Sequence, residues 1–291
     1  MVEATAFAER AQFPPDLGLD IRPLTGALGA EIHGVNLAAT TSESVMRALK
    51  QALLQHGVIF FRQQDLLPGR QKAFARYFGD VFAHPNLLST DPEIIEVRRA
   101  PGDTRFVGED WHSDTTFVAE PPMGSVLYAV EVPAYGGDTM WANQYLAFGA
   151  LSEGLKNTLR GMRALHSDRY FGGPKAQQNA DRTTKQREDA AWRPTESLHP
   201  VVRTHPETAR EALFVNRVQT IAFEGWTEAE SRPLLDYLFQ YAVRPEFTCR
   251  FRWKPGSLAF WDNRCTQHIA ISDGSFHRYM RRVQICGDRP R

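Results

Sequence analysis

The sequence predicts a mainly β protein, a β-sandwich or jelly roll with peripheral helices, built as a single domain over residues 1–291. Many short segments are rich in β-branched and aromatic residues and are bounded by Gly, Pro or Asp, which is typical of strands. Only a few segments carry the 3.6-residue periodicity of helices. No internal repeat or linker divides the chain, and 291 residues can bury one large core.

Four segments show the apolar periodicity of amphipathic helices. The first is expected to begin at Thr40, which forms a capping-box pattern with Glu43, and to stop before Gly57. The others are predicted at about 70–78, at about 152–159, and in a segment that contains Pro233 and ends near Tyr241.

Strands are predicted in the short runs of β-branched and aromatic residues. These runs are 58–61, 125–132, 213–216, 247–253, 257–261 and 279–285. Residues 170–196, by contrast, are polar and aperiodic, and loops of this length usually act as lids or are disordered. We expect this stretch to be a lid inserted into the domain.

Charge and composition disfavour nucleic acid and membrane partners. The 34 basic and 34 acidic side chains cancel, so no net field draws the chain to a polyanion. The N-terminal stretch MVEATAFAERAQFPPD lacks the pattern of a signal peptide, and no later run approaches the length of an apolar membrane span. The cysteines Cys249, Cys265 and Cys286 show no pairing pattern and are expected to be reduced thiols. A cytoplasmic protein is expected, and homo-oligomer formation is left open.

The tripeptide His112-Ser113-Asp114 offers two metal ligands. Residues two apart in an extended chain point to the same face, so one metal ion could bind both side chains. The signal is weak by itself, because His166-Ser167-Asp168 repeats the same tripeptide. Local pattern does not separate the two copies, and the assignment needs a third ligand.

His268 is the candidate third ligand, at the end of the run Trp261-Asp262-Asn263-Arg264-Cys265-Thr266-Gln267-His268. Two histidines and one carboxylate occupy one face of an octahedral metal and leave three positions open, as iron(II) oxygenases require. A structural zinc site would close all four positions of its metal.

Arginines line one face of the last predicted strand. Alternation puts Arg278 and Arg282 on the face of Met280, and Arg281 on the opposite face. Two guanidiniums on one face indicate paired carboxylate recognition. The alternative is a solvated sheet edge.

The run Gly136-Gly137-Asp138-Thr139 follows a predicted strand and a proline. The glycines predict a tight turn, and Thr139 offers a hydroxyl group just beyond it. By itself this pattern indicates only a hairpin.

Six motifs in order resemble the taurine dioxygenase/TfdA family of 2-oxoglutarate oxygenases: WHSDTTF, GGDTMW, LHPVVRTHP, FVNR, WDNRCTQH and RRVQICGDRP. The resemblance covers nearly the whole chain and implies a double-stranded β-helix, or jelly-roll, core. It implies that iron(II) is held by His112, Asp114 and His268, and that the second His-x-Asp copy is not a metal site.

The resemblance also implies roles around the metal. Thr139 and Arg278 correspond to the contacts of the distal carboxylate of 2-oxoglutarate, whereas His84 and Arg282 correspond to positions near the substrate anion. At Leu87 and Val218 this chain is aliphatic where taurine-specific members are aromatic. The stretches 96–99 and 170–179 are similar to enzymes that cleave aryloxyalkanoates, which favours a substrate that is bulkier or more apolar than taurine.

The implied reaction is hydroxylation of a C–H bond in a small anionic organic substrate, with 2-oxoglutarate and dioxygen as co-substrates. If the attacked carbon bears oxygen or sulfur, the product collapses and releases a phenol, sulfite or sulfate, as expected for an aryloxyalkanoate or a sulfonate such as taurine. One alternative is a tailoring hydroxylase of an amino acid or natural product, without cleavage. The others are a jelly-roll binding protein with a vestigial metal site, and a zinc hydrolase, for which no separate general base is evident.

Overall fold

The computed structural model describes residues 17–39, 41–87, 89–171, 181–186 and 191–291. The helices of this described part are α1 (Glu43–His56), α2 (Pro68–Arg76), α3 (Gln144–Gly149), α4 (Glu153–Arg160) and α5 (Glu228–Tyr241). Its strands are β1 (Asp20–Pro23), β2 (Ala30–His33), β3 (Val58–Phe61), β4 (Val81–Phe82), β5 (Ile95–Arg99), β6 (Gly124–Glu131), β7 (Thr139–Asn143), β8 (Arg163–Ser167), β9 (Glu196–Pro200), β10 (Val202–Thr204), β11 (Glu211–Leu213), β12 (Thr220–Phe223), β13 (Thr248–Phe251), β14 (Leu258–Asp262), β15 (Thr266–Ala270) and β16 (Arg278–Ile285).

Two sheets packed face to face form the core that carries the site. The large sheet has the order β1-β2-β3-β14-β6-β16-β4, with β5 paired to the free part of β16, and the small sheet has the order β13-β7-β15. Trp261 and Met280 of the large sheet pack in one apolar cluster with Trp141 and Phe251 of the small sheet. The predicted jelly roll with peripheral helices is therefore confirmed.

Helix boundaries follow local capping chemistry. Thr40, the predicted first cap, lies outside the described residues, and α1 is instead capped by Ser42, whose hydroxyl accepts from the Val45 N–H at 3.4 Å. Gly57 ends this helix as predicted, with a φ of 71°. Pro233 lies inside α5, which begins further upstream with a capping box formed by Thr227 and Glu230.

One predicted strand is partly wrong. Of the segment predicted as a strand at 213–216, only Leu213 lies in a strand, at the end of β11. Asn216 then closes a turn, because its N–H donates to the Thr220 hydroxyl at 2.9 Å and its carbonyl accepts from the Thr220 N–H at 3.0 Å. The short helix α3 was not predicted, and its signal is the Asn143 side chain, which accepts from the N–H groups of Tyr145 and Leu146.

Cys249 and Cys265 are buried, Cys286 is exposed, and none of the three is in a disulfide, as expected for thiols used mainly in packing. Within the described ranges, no helix combines the length and the apolar character needed to cross a bilayer.

Candidate metal and substrate site

His112, Asp114 and His268 come together at the end of the jelly roll. Their ligand atoms all lie within 4.8 Å of one another, and among the described residues they form the one cluster of three or more side chains able to hold a metal ion. Reciprocal backbone hydrogen bonds join the two histidines: His112 donates to the His268 carbonyl at 3.1 Å and His268 donates to the His112 carbonyl at 2.8 Å. The residues predicted from the sequence are therefore adjacent in space.

The histidine rings are oriented to present nitrogen lone pairs to a common point. The Nδ1 atom of His112 lies 2.7 Å from the Asp110 carbonyl, so this nitrogen carries the proton and Nε2 is left as the ligand. The Nε2 atoms of His112 and His268 lie 3.6 and 3.8 Å from Oδ1 of Asp114. Burial, together with the His112 ring, lowers the pKa of His268 well below its usual value, which keeps its imidazole neutral.

Asp114 is held as an ionised carboxylate. The Ser125 hydroxyl donates to Oδ2 at 2.7 Å, and Nη1 of Arg282 donates to Oδ1 at 2.8 Å. Burial alone would raise the pKa of Asp114, but the nearby Arg282 guanidinium and the two ligand histidines outweigh it and hold the pKa well below its usual range. Two imidazole nitrogens and one carboxylate form a donor set that fits a divalent iron ion.

Two amide side chains fix the backbone around Asp114. Asn263 accepts from the Asp114 N–H at 2.6 Å and donates to its carbonyl at 2.9 Å. Gln219 donates to the Ser113 carbonyl at 2.9 Å and accepts from the Thr116 N–H at 2.5 Å. Between these contacts Thr115 has a φ of 52°, which is strained for a β-branched residue. Sequence reasoning missed both amides, although Asn263 lies within one of the quoted motifs.

The second His-x-Asp copy belongs to the packing of the protein. His166 is fully buried, with Nδ1 2.8 Å from the Thr116 hydroxyl. Asp168 accepts hydrogen bonds from the side-chain amide of Asn86 at 2.6 Å and from the Thr195 N–H at 2.8 Å. Neither residue belongs to the cluster of three described side chains that could hold a metal ion.

A cavity of about 250 Å³ opens beside the triad. His112 and Asp114 line it together with all four residues predicted to contact the substrate, which are His84, Leu87, Val218 and Arg282. A cavity of this size suits a small molecule.

Two of the lining side chains can meet an anion. The guanidinium of Arg282 uses Nη1 for Asp114, while its buried Nε has no hydrogen-bond partner. Nδ1 of His84 accepts from the N–H groups of Asn86 and Leu87 at 3.1 and 3.2 Å, so the imidazole carries its proton on Nε2. Both side chains therefore carry N–H groups, and the one on Nε of Arg282 has no acceptor.

Thr139 and Arg278 meet where β7 and β16 face each other. The Thr139 hydroxyl accepts from the Trp253 indole N–H at 2.9 Å and lies 3.4 Å from Nη2 of Arg278, so its own proton is left to donate. Arg278 is buried, forms no ion pair with any acid of the described residues, and has an unpartnered Nε. Burial and the neighbouring Arg99 lower the pKa of Arg278 to about 10, so it remains a cation at neutral pH. This pair fits a carboxylate.

Arg281 lies on the opposite face of β16, as alternation predicts, but it is not a solvated charge. Its guanidinium lies 4.9 Å from the centre of the Tyr128 ring and donates to the Leu66 carbonyl. Arg281 is only partly exposed because the chain around Leu66 covers this face of the large sheet. Arg281 therefore packs and forms a hydrogen bond on the strand face opposite to that of Arg282.

Part of the predicted lid at 170–196, namely residues 172–180 and 187–190, lies outside the described residues. Four described residues of this stretch line the cavity: Tyr170, Phe171, Arg182 and Gln186. Gln186 also pairs with Leu87 in an isolated β-bridge. The described part of the stretch thus forms one wall of the cavity.

Comparison with known proteins shows similarity over the whole fold. A family model described as "Taurine catabolism dioxygenase TauD, TfdA family" matches residues 20–284. The chain is 37% identical to an "Alpha-ketoglutarate-dependent sulfate ester dioxygenase" of Pseudomonas putida, over 97% of this chain and 94% of that protein. It is 36% identical to an "Alkylsulfatase" of Acinetobacter baylyi, over 94% and 87%. It is 31% identical to an "(S)-phenoxypropionate/alpha-ketoglutarate-dioxygenase" of Sphingobium herbicidovorans, over 92% and 95%.

Solved structures show the same fold. A taurine dioxygenase from Burkholderia xenovorans superposes with a TM-score of 0.77 at 35% identity, covering 94% of this chain and 92% of that one. The structure of AAD-2 in complex with Mn(II) and N-oxalylglycine superposes with a TM-score of 0.75 at 28% identity, covering 94% and 98%.

Proposed function

This chain belongs to the taurine dioxygenase/TfdA family, and from that premise we propose that it oxidatively cleaves small sulfate esters. It is a dioxygenase that uses Fe(II), 2-oxoglutarate and dioxygen. Family membership sets aside the zinc hydrolase and the non-enzymatic binding protein. The substrate and the role of each site residue are the content of the proposal.

In this proposal His112, Asp114 and His268 hold the iron ion. The support is the clustering of two imidazole nitrogens and a carboxylate oxygen within 4.8 Å, all in buried residues. Iron(II) with 2-oxoglutarate and dioxygen supplies the oxidation of a substrate C–H bond, while 2-oxoglutarate is converted into succinate and carbon dioxide. Three protein ligands leave three positions for the co-substrates.

Thr139 and Arg278 bind the distal carboxylate of 2-oxoglutarate. The support is a buried guanidinium without an acidic partner, placed beside a hydroxyl group that still has a proton to donate. An unpaired buried cation is costly, so a carboxylate at this point stabilises the protein as well as the complex. Arg278 then fixes the orientation of the co-substrate with respect to the metal ligands.

A sulfate ester substrate is supported by one observation: hydrogen-bond donors for an anion and aliphatic side chains line the same small cavity. His84 and Arg282 offer N–H groups to a sulfate oxygen, and Leu87 and Val218 offer apolar surface to a carbon chain. Sulfate has several acceptor oxygens and suits two donors that approach from different elements. The two relatives named for sulfate esters are also more similar to this chain than the phenoxypropionate enzyme is.

Within the cleavage reaction, the chain positions the substrate and stabilises the leaving group. Binding of the sulfate at Arg282 places the adjacent carbon close to Asp114, because the same guanidinium contacts that metal ligand. Hydroxylation of this carbon gives a hydroxylated ester, whose C–O bond to sulfate breaks while its O–H becomes the aldehyde carbonyl. Arg282 and His84 remain in contact with the departing sulfate and stabilise its charge.

The decisive experiment is anaerobic reconstitution with iron(II) and 2-oxoglutarate, followed by exposure to dioxygen with sulfate esters, sulfonates, aryloxyacids and amino acids. We expect succinate and sulfate to form in equal amounts from short alkyl sulfates, and little succinate from taurine. An intact hydroxylated product would instead identify a tailoring hydroxylase. Omission of dioxygen is the control and should abolish both products.

Aryloxyalkanoates are the second candidate. Three phenylalanine side chains, Phe106, Phe117 and Phe171, also line the cavity and could pack against a phenoxy ring. In that case the same screen would release a phenol instead of sulfate.

We further propose a single cytoplasmic domain in which residues 170–196 form a lid. Three unpaired cysteines suit a reducing compartment, and the balanced charge gives no reason to expect a nucleic acid partner. The lid is supported by the position of Phe171 and Arg182 in the cavity wall. Hydrogen exchange at 181–186 should slow when a substrate joins the enzyme with iron and 2-oxoglutarate, whereas unchanged exchange would contradict closure.

A further inference from the structure

Arg182 lies in the cavity wall on a backbone that is anchored on both sides. The Asp181 carbonyl accepts from the Arg105 N–H at 3.2 Å, and the Thr183 N–H donates to Asp103 at 3.0 Å. One residue further, the Thr184 hydroxyl accepts from the Arg98 N–H at 2.7 Å. The side chain of Arg182 lines the cavity and is only 7% exposed. Its position is therefore set by the fold around it.

The guanidinium of Arg182 lacks an acceptor. Its Nε and Nη2 atoms are buried and have no hydrogen-bond partner. Glu109 is the acidic residue that interacts electrostatically with Arg182. Its carboxylate is already engaged, because it lies 2.5 Å from Nε of Arg105 and accepts from the Phe106 N–H at 3.3 Å. A buried cation with unpaired N–H groups is unfavourable, and an anionic ligand would relieve the cost.

Arg182 and Arg282 line the same cavity but have different charged neighbours. Arg282 contacts Asp114, whereas the charged groups that act on Arg182 are Glu109 and Arg105. Apolar side chains such as Leu87 also line the cavity. Two buried cations therefore line the cavity, and Arg282 is the one hydrogen-bonded to Asp114.

We propose that Arg182 is a second anion-binding residue, and that the preferred substrates carry a carboxylate at the end remote from the group held by Arg282. This inference rests on the proposed function, because it assumes that Arg282 receives the sulfate. The planar guanidinium fork of Arg182 suits a carboxylate through two parallel N–H bonds. The substrate class is then a sulfate ester with a carboxylated tail.

The test compares matched ligands that differ only at the tail. Alkyl sulfates of equal chain length, ending in a methyl group or in a carboxylate, are bound anaerobically to the enzyme with iron(II) and 2-oxoglutarate, and affinity is measured by calorimetry. We expect the native enzyme to prefer the carboxylated partner, and Arg182→Met to weaken binding of that partner about 30-fold or more while leaving the methyl partner near its native affinity. Arg182→Lys should retain part of the preference, and it also serves as the test if Arg182→Met does not fold.

Arg217→Met is the matched control, because Arg217 lines the same cavity but is exposed. We expect this variant to keep the native preference. Equal native affinity for the two ligands, or a preference that survives in Arg182→Met and Arg182→Lys, would overturn the proposal. These binding outcomes are separate from turnover: failure of alkyl sulfates to yield sulfate under dioxygen would contradict the proposed function itself.

Discussion

Arg282 donates a 2.8 Å hydrogen bond to Oδ1 of Asp114, the carboxylate oxygen that also faces the ring nitrogens of His112 and His268. Both partners are almost completely buried. The guanidinium therefore balances the ligand carboxylate in the protein without metal, and a bound metal ion would share this role.

We expect Arg282→Met to destabilise the metal-free protein by about 3–5 kcal/mol, since it leaves the Asp114 carboxylate buried without its cationic partner. The loss should be smaller with Mn(II), because the metal supplies positive charge to the same oxygen. Urea unfolding with chelator and with Mn(II) measures both values. Arg281→Met is the control from the same strand: it should lose stability equally in both conditions, through its contacts with Tyr128 and Leu66. Equal losses for Arg282→Met would refute the shared role.

The two arginines on the inner face of β16 should have separable kinetic effects. Arg278→Ala is expected to raise the apparent Michaelis constant for 2-oxoglutarate, and Arg282→Ala that for the substrate. Each change leaves an anion without its cation, so each should cost about 2–5 kcal/mol of binding free energy. Titration of each co-substrate at saturation of the other provides the measurement. Arg281→Ala should leave both constants near native values, and an exchange of effects between Arg278 and Arg282 would show that the assignments are reversed.

The duplicated His-x-Asp pattern gives a direct test of the ligand assignment. His112→Ala, Asp114→Ala and His268→Ala should each lose iron and succinate formation, because each removes one of three ligands. The folded fraction of His166→Ala should keep its iron, although loss of a buried ring will reduce its stability. Metal analysis of purified folded protein decides the matter. Iron loss in the His166 variant alone would assign the metal site to His166 and Asp168 instead.

Acid sensitivity should come in part from His199. Its Nε2 atom lies 2.9 and 3.0 Å from the carbonyls of Thr116 and Val118, and burial lowers the pKa of His199 from 6.5 to about 4. Below pH 6.5 the unfolded chain binds a proton at His199 that the folded protein does not bind. The contribution of His199 to the free energy of unfolding is therefore fully present above pH 6.5 and is lost as the pH falls towards 4, by up to about 3 kcal/mol.

Unfolding in urea between pH 4.5 and 7.5, with chelator, would measure the slope of stability against pH. We expect His199→Gln, which keeps an N–H donor, to flatten that slope. His277→Gln is the control, because His277 is half exposed and pairs with Glu131 at the surface. A slope that is the same in His199→Gln and in the native protein would remove His199 from the explanation.

The sequence predicted the proposed ligands but not the side chains that fix the backbone around them. Alternation placed His112 and Asp114 on one face, and the resemblance selected them over the second copy. Asn263 and Gln219 reach the Asp114 segment from positions 149 and 106 residues away from their partners, and no local pattern encodes such contacts. Arg281 illustrates the same limit: alternation predicted its face, whereas the chain that covers this face comes from Leu66, far away in the sequence.

The predicted start of α1 and the predicted end of β11 were wrong for local reasons. Thr40 and Ser42 both precede Glu43, and sequence pattern alone does not decide between neighbouring caps. Past the end of β11, Phe214 and Val215 are apolar because they are buried, and the backbone turns only at 217–219, where Asn216 contacts Thr220. A short run of apolar residues can indicate either buried side chains or a β-strand, and the sequence pattern does not distinguish the two.

The reciprocal backbone bonds between His112 and His268 also bear on how the protein acquires its metal during biosynthesis. A nascent chain that ends at β14 contains His112 and Asp114. It lacks His268, and it also lacks β15, whose backbone bonds hold His112 in place. The proposed donor set closes only after β15 pairs with β7. Under the proposed assignment, we expect a chain that stops before β15 to bind no iron, because it lacks one ligand and the backbone bonds that orient another.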